Sequence, residues 1–265
     1  MKLAISNIGW TALNDSEMYQ YICNEGFSGL EIAPTRVFSA NPYENLQVAQ
    51  NWADDLRLHY GLNIPSMQSI WYGRIEKIFG SEKERKALTD YTRQAIDFAA
   101  AIDCRNLVFG CPKNRVLDDR SKWQIGVDFF RELAVYAAKH DAVIGMEANP
   151  DIYGTNYINT THEALNLLTE VDMSGFKLNL DLGTIIQNEE SPDILRGQVQ
   201  HISHVHISEP FLRPIEKRAL HRKVADILCE ENYQGFVSIE MGKVEDLTVL
   251  KKVMTYVKEV FGKDE

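Results

Sequence analysis

The chain has 265 residues, 45% hydrophobic, 25% charged and 10% aromatic, a balance that buries a core and excludes a disordered or fibrous polymer. Asp and Glu outnumber Lys and Arg by 38 to 28, giving a formal charge of -10, so nucleic acid and anionic lipid are poor partners. Its apolar runs are strand-sized and its first residues lack a signal-peptide core, so the expectation is a cytoplasmic enzyme with no membrane partner.

Bounded apolar runs alternate with amphipathic segments along the whole length. Leu3–Ser6 reads as a strand and Asp15–Asn24 as its helix; Gly29–Ala33 is followed by Tyr43–Tyr60, and Ile64–Ser69 by Ser81–Ala101. Asn106–Gly110 leads to Asp118–His140, Ala142–Glu147 to Thr160–Glu170, and Phe176–Asp181 to a short segment at Pro192–Gly197. Ile202–Ile207 leads to Ile215–Glu231 and Phe236–Glu240 to Val244–Phe261, where Val244, Leu247, Leu250, Met254, Val257 and Phe261 make one apolar stripe. Ser81 before Glu84 and Thr160 before Glu163 mark two helix starts. Eight such units over this length predict an α/β fold, a closed (β/α)8 TIM barrel in a single domain spanning residues 1–265.

The four cysteines, Cys23, Cys104, Cys111 and Cys229, show no CxxC spacing, which predicts reduced thiols, with Cys111 a packing residue. In a barrel, chemistry gathers where the strands end in loops. Four strands end in metal-binding side chains: Glu147, Asp181, His206 and Glu240. The alternation sends Ile144 and Met146, Leu178 and Leu180, Val205 and Ile207, and Val237 and Ile239 toward the helices, and the four polar groups into the barrel mouth. Three converging carboxylates repel one another unless they share a cation. With one imidazole they form a hard O/N donor set suited to one divalent ion, Mn²⁺, Mg²⁺, Co²⁺ or Fe²⁺, rather than structural Zn²⁺.

Glu147 with Asn149-Pro150 and Ile158-Asn159-Thr160, Asn179-Leu180-Asp181-Leu182-Gly183, His204-Val205-His206-Ile207-Ser208-Glu209 and Ser238-Ile239-Glu240-Met241 resemble the sugar phosphate isomerase/epimerase family, whose xylose isomerase-like barrel is shared with keto-sugar epimerases. Glu147, Asp181, His206 and Glu240 are spaced by 34, 25 and 34 residues, close to that family's arrangement. The resemblance implies that His206, not His204, binds metal and that Glu147 and Glu240 transfer protons on the two faces of a small sugar, sugar phosphate or cyclitol. It also implies substrate contacts from Glu209 and Arg213. Where the ketose epimerases carry a His after the strand-six Asp, this chain has Thr184, which weakens a direct copy of their contacts.

Other strand-end residues carry open readings. Glu31 either orients another side chain or touches substrate, and Gln68 occupies a place where some relatives have a metal-binding His, which argues for a single metal. Trp10, Trp71 and Tyr72 either stack on a sugar or pack the core and lid, and the loop from Asn149 to Asn159 suits hydroxyl recognition as well as ordinary turns. Lys113 and Arg115, and the helical set Lys217, Arg218, Arg222 and Lys223, are the basic groupings open to a phosphate. The expected partner is a small sugar or polyol, and a homo-oligomer is compatible with the sequence. Metal-dependent dehydratase or lyase chemistry on a polyol is the alternative; the abasic-site endonuclease branch of the same fold needs more metal ligands and a basic groove.

Overall fold

The computed structural model describes residues 1–262. Its parallel strands are β1 (Lys2–Ser6), β2 (Gly29–Glu31), β3 (Ser66–Met67), β4 (Asn106–Phe109), β5 (Val143–Met146), β6 (Phe176–Asp181), β7 (Ile202–Ile207) and β8 (Phe236–Ile239). They run in the order β2-β1-β8-β7-β6-β5-β4-β3. The seam between β2 and β3 is closed by two isolated bridges: Leu30 N donates to Asn63 O (2.8 Å) and Asn63 N to Ser28 O (3.0 Å) at one, and Ile32 N donates to Ser66 O (3.2 Å) and Gln68 N to Ile32 O (2.8 Å) at the other. This is the expected α/β barrel. β3 has only two ladder residues where Ile64–Ser69 was expected, because Pro65 has no N–H to give to a ladder.

The helices are α1 (Asp15–Asn24), α2 (Pro34–Val37), α3 (Leu46–Tyr60), α4 (Glu82–Ala101), α5 (Trp123–Ala138), α6 (Thr161–Val171), α7 (Leu182–Gln187), α8 (Ala219–Glu230) and α9 (Leu247–Phe261). Both expected capping boxes form, Ser81 with Glu84 and Thr160 with Glu163. The sixth helix departs from expectation: α7 begins directly at the end of β6, and Pro192–Leu195 is a separate 3-10 turn. The cause is local, since the Asp181 side chain accepts the Thr184 N–H (2.8 Å) and so caps α7.

The strand alternation holds. Ile144, Met146, Leu178, Leu180, Val205, Ile207, Val237 and Ile239 are buried. The barrel interior is polar and internally bonded: Asn106 Nδ2 donates to Ser66 Oγ (3.0 Å), and Ser203 Oγ donates to Asn106 Oδ1 (2.7 Å). Ser203 is the extra residue where Leu178 and Asn179 pair with Ile202 and His204. Trp71 belongs to the core, edge-on to Phe109 at 4.6 Å with its indole N–H on Thr92, so this ring is not free to stack on a ligand. No helix among the described residues is long and apolar enough to cross a membrane.

Candidate metal centre

At the C-terminal mouth, one ligand atom each from Glu147, Asp181, His206 and Glu240 lies within 4.8 Å of the others. Glu147 and Glu240 each sit one residue beyond their strands, Asp181 closes β6, and His206 is the penultimate residue of β7. His206 Nδ1 is 2.9 Å from Glu147 Oε1 and 3.2 Å from Glu240 Oε2. Its Nε2 meets Glu31 Oε2 at 2.9 Å, and the same oxygen lies 2.8 Å from His204 Nε2. Glu31 is fully buried. Of its two open readings, the geometry displays the one in which it orients a side chain, with His206 as that side chain, and places His204 beneath His206.

Burial, reinforced by Glu147, pushes Asp181 up to about 6, although Ser208, His206 and Thr184 act against the shift. Burial also pushes Glu240 up to about 7, with Glu147 and Asp181 adding to the shift and His206 opposing it. Burial disfavours the imidazolium of His206, yet Glu240, Glu31 and Glu147 together raise it well above the ordinary range. For Glu31, burial opposes ionisation but is outweighed by His206 and His204, so its carboxyl stays well below the usual range. Two carboxylates pushed up toward neutrality, crowded with Glu147 around one nitrogen donor, form a site with unmet demand for positive charge. Such a donor set fits a hard divalent ion.

The carboxylates are held by neighbouring side chains, among them Asn149, which the sequence suggests as a substrate contact. Asn149 Nδ2 donates to Glu147 Oε2 (3.1 Å) and Asn179 Nδ2 to Glu147 Oε1 (3.1 Å). Arg115, fully buried, donates through Nη2 to Asn149 Oδ1 (2.6 Å) and to the Glu147 carbonyl (2.9 Å). Burial lowers its guanidinium to about 10. It therefore serves the interior and is not free for a phosphate, which corrects that reading of Arg115. Asp181 is gripped by Thr184 N (2.8 Å) and Oγ1 (2.9 Å) and by the Ser208 hydroxyl. The Asp-x-x-Thr spacing of a helix cap was the legible signal for Thr184; nothing local marked Arg115.

Close approach also fixes two glycines. A Cβ on Gly110 would lie 2.7 Å from Glu147 Oε2, and one on Gly183 would lie 2.7 Å from Ser208 Oγ.

The pocket over Glu147, Asp181 and Glu240 has a volume of about 220 Å³, and Gln68, Asn149, Tyr153 and Glu209 are among its other lining residues. Gln68 Nε2 bonds Ser6 Oγ (2.9 Å) and Glu31 Oε1 (3.3 Å). Asn149 touches Glu147 first, so it steadies that carboxylate. Glu209 lines the pocket, but its carboxylate is bound by Arg218 at 2.6 and 2.7 Å. Arg213 is exposed, donates to Pro210 O (3.2 Å) and does not line the pocket; this structure does not bring it to the site as the resemblance implied. Trp10 is buried with its indole N–H on Asp15 (2.8 Å), and it borders a neighbouring groove rather than the metal pocket. Cys111 does line the metal pocket, in a left-handed conformation (φ 46°). Burial pushes its thiol up to about 12, which keeps it unreactive.

The chain is a parallel barrel with a cluster of candidate metal ligands at its C-terminal mouth. Residues 20–259 match the family model for the xylose isomerase-like TIM barrel, and the chain belongs to that family. No curated protein sequence matches significantly. Among solved structures, the chain is similar to 3-keto-D-glucoside 4-epimerase YcjR from E. coli (18% identity, TM-score 0.76, covering 98% of this chain and 99% of that one). It is also similar to a D-psicose 3-epimerase determined in the presence of D-fructose (15%, TM-score 0.80, 99% and 100%). The probable 3-DHS dehydratase AsbF from Bacillus anthracis is a third (17%, TM-score 0.72, 100% of each chain). At these identities the likeness establishes the fold.

Proposed function

We propose that this chain, residues 1–265 acting as one catalytic domain, is a divalent-metal-dependent isomerase or epimerase of a small sugar or cyclitol. The observation that carries this reading is the convergence of Glu147 and Glu240, from different strands, on His206 Nδ1 at 2.9 and 3.2 Å. Two carboxylates that meet at one nitrogen donor provide a proton acceptor and a proton donor for one reacting carbon. Similarity to sugar epimerases supports the same class.

Glu147, Asp181, His206 and Glu240 would hold the ion, with Mn²⁺, Mg²⁺ and Co²⁺ best suited to the donor set. When bound, such an ion supplies the positive charge that stabilises an enediolate. One Glu takes the proton from the carbon next to the sugar carbonyl, and the C–H electron pair moves onto the carbonyl oxygen. The other Glu, or the first after the sugar has shifted, returns a proton to carbon. Asn149 and Asn179 fix the Glu147 oxygens for this task. With Arg115 and Arg218 already engaged beside the pocket, a neutral sugar suits the site better than a phosphorylated one.

The test is solvent exchange. Metal-loaded protein in D₂O, offered a panel of ketoses and inosose-type cyclitols, should place deuterium at a carbon next to the carbonyl and form an isomer. Loss of one water from the substrate would favour the dehydratase reading, which the likeness to a probable dehydratase supports. No exchange with any member of the panel would count against both.

A further inference from the structure

Beside the metal pocket lies a larger groove of about 730 Å³, formed by the turns after β1, β2 and β3 and bordered by Lys243. Ser69 lines both cavities, and its hydroxyl donates to Gln68 Oε1 (3.1 Å), a side chain that lines the metal pocket. The two spaces therefore meet at one residue. The metal pocket alone, about 220 Å³, falls below the roughly 300 to 1,000 Å³ usual for a small-molecule site. The groove falls within that range.

The lining of the groove selects a ligand chemistry. Tyr72 is 71% exposed, and its ring makes no hydrogen bond or ring contact among the described residues. Tyr72 therefore presents an open aromatic face to whatever enters the cleft. Thr11, Ser39 and Asn41 add hydroxyl and amide groups to the same cleft. The cations there are already neutralised. Arg36 is held by Asp15 at 2.5 and 2.9 Å, Arg74 by Glu76 while it covers the Tyr91 ring at 4.8 Å, and Lys243 by Glu245 at 3.3 Å. An aromatic face, neutral polar groups and no uncompensated charge are the surroundings that suit a sugar ring.

We propose that this groove is a subsite for a second, neutral sugar, so that the substrate is a glycoside whose reacting ring sits over the metal ligands and whose other ring covers Tyr72. This inference rests on the proposed function for the identity of the reacting ring, but not for the groove's own preference. Its test therefore reads affinity and does not need turnover. Mg²⁺-loaded protein is titrated with maltose, cellobiose, lactose and sucrose, and with D-glucose, D-galactose and D-fructose, under calorimetry and saturation-transfer NMR. The expected result is at least one disaccharide binding about tenfold or more tightly than either of its component sugars. Tyr72→Ala should weaken that disaccharide by about two- to tenfold, the usual worth of one aromatic contact, and Tyr72→Phe should retain the affinity. Component sugars binding as tightly as every disaccharide, no binding of any disaccharide, or an unchanged affinity in Tyr72→Ala would each overturn the subsite. Tyr72-dependent disaccharide binding without hydrogen exchange in any keto-sugar would uphold the groove and count against the isomerase reading. Exchange in a free ketose with no disaccharide advantage would do the reverse.

Discussion

Arg115 Nη2 and Asn149 Oδ1 meet at 2.6 Å, and the amide that this contact orients gives its N–H to Glu147 Oε2 at 3.1 Å. Among the described residues no carboxylate lies within ion-pair distance of this buried cation, which sets the direction of a neighbouring amide and through it the Glu147 carboxylate. Arg115→Met keeps much of the side-chain volume but frees the Asn149 amide to turn. Mn²⁺ affinity measured by calorimetry should fall by about 10- to 100-fold, the usual effect of losing a partner behind a metal ligand. Arg115→Lys, which retains a donor, should fall less. Unchanged Mn²⁺ affinity in a folded Arg115→Met would sink the relay.

Glu147→Gln and Glu240→Gln each remove a proton acceptor with little change of shape. At saturating metal, each should lower turnover of an identified substrate by about 10²- to 10⁴-fold. If both variants worked like the wild type once reloaded with metal, these residues would be ligands without a part in proton transfer.

Gly110→Ala tests the space rather than the charge. The new methyl would press on Glu147 Oε2 at 2.7 Å, and that carboxylate is already tied to Asn149 and Asn179. Weaker metal binding with a nearly unchanged circular dichroism spectrum is the expected outcome. Full metal affinity would show that Glu147 has room to shift.

Metal affinity should rise with pH. Asp181 and Glu240 are pushed up to about 6 and about 7, and His206 is raised well above its ordinary range. An arriving cation must displace the protons these groups hold, so each proton released strengthens binding by about tenfold per pH unit until the group is deprotonated. Calorimetry between pH 5.5 and 8, repeated in buffers of different ionisation enthalpy, measures both the slope and the protons released. A flat profile would contradict the shifts.

Away from the site, His221 on α8 is buried, with Nδ1 3.0 Å from the Tyr256 hydroxyl, and burial pushes it down to about 4. Below about pH 6.5 the unfolded chain takes up a proton that the folded one refuses. The stability linked to His221 is therefore present above about 6.5 and is lost as pH falls toward 4. Between pH 7 and pH 5, the Tm of the wild type should drop further than that of His221→Gln. Equal drops would remove His221 from the acid response.

The linear pattern carried the frame of the site. Period-two strands that end in Glu147, Asp181, His206 and Glu240 place four donors at one depth, because strand parity and the shared C-terminal rim are local properties repeated around the barrel. The sequence determined Ser81 and Thr160 as caps for the same reason: a cap acts over three residues. Tertiary structure decided what surrounds those donors. Arg115 reaches Asn149 across 34 residues of chain, and Glu31 on β2 meets His206 on β7, contacts that exist only once the barrel closes. The fate of Arg213 was likewise illegible, since the course of a loop depends on its packing and not on a period. The position of Ser69 between a small metal pocket and a broad groove is also set by closure, because the turn after β3 meets the turns after β1 and β2 only across the β2–β3 seam.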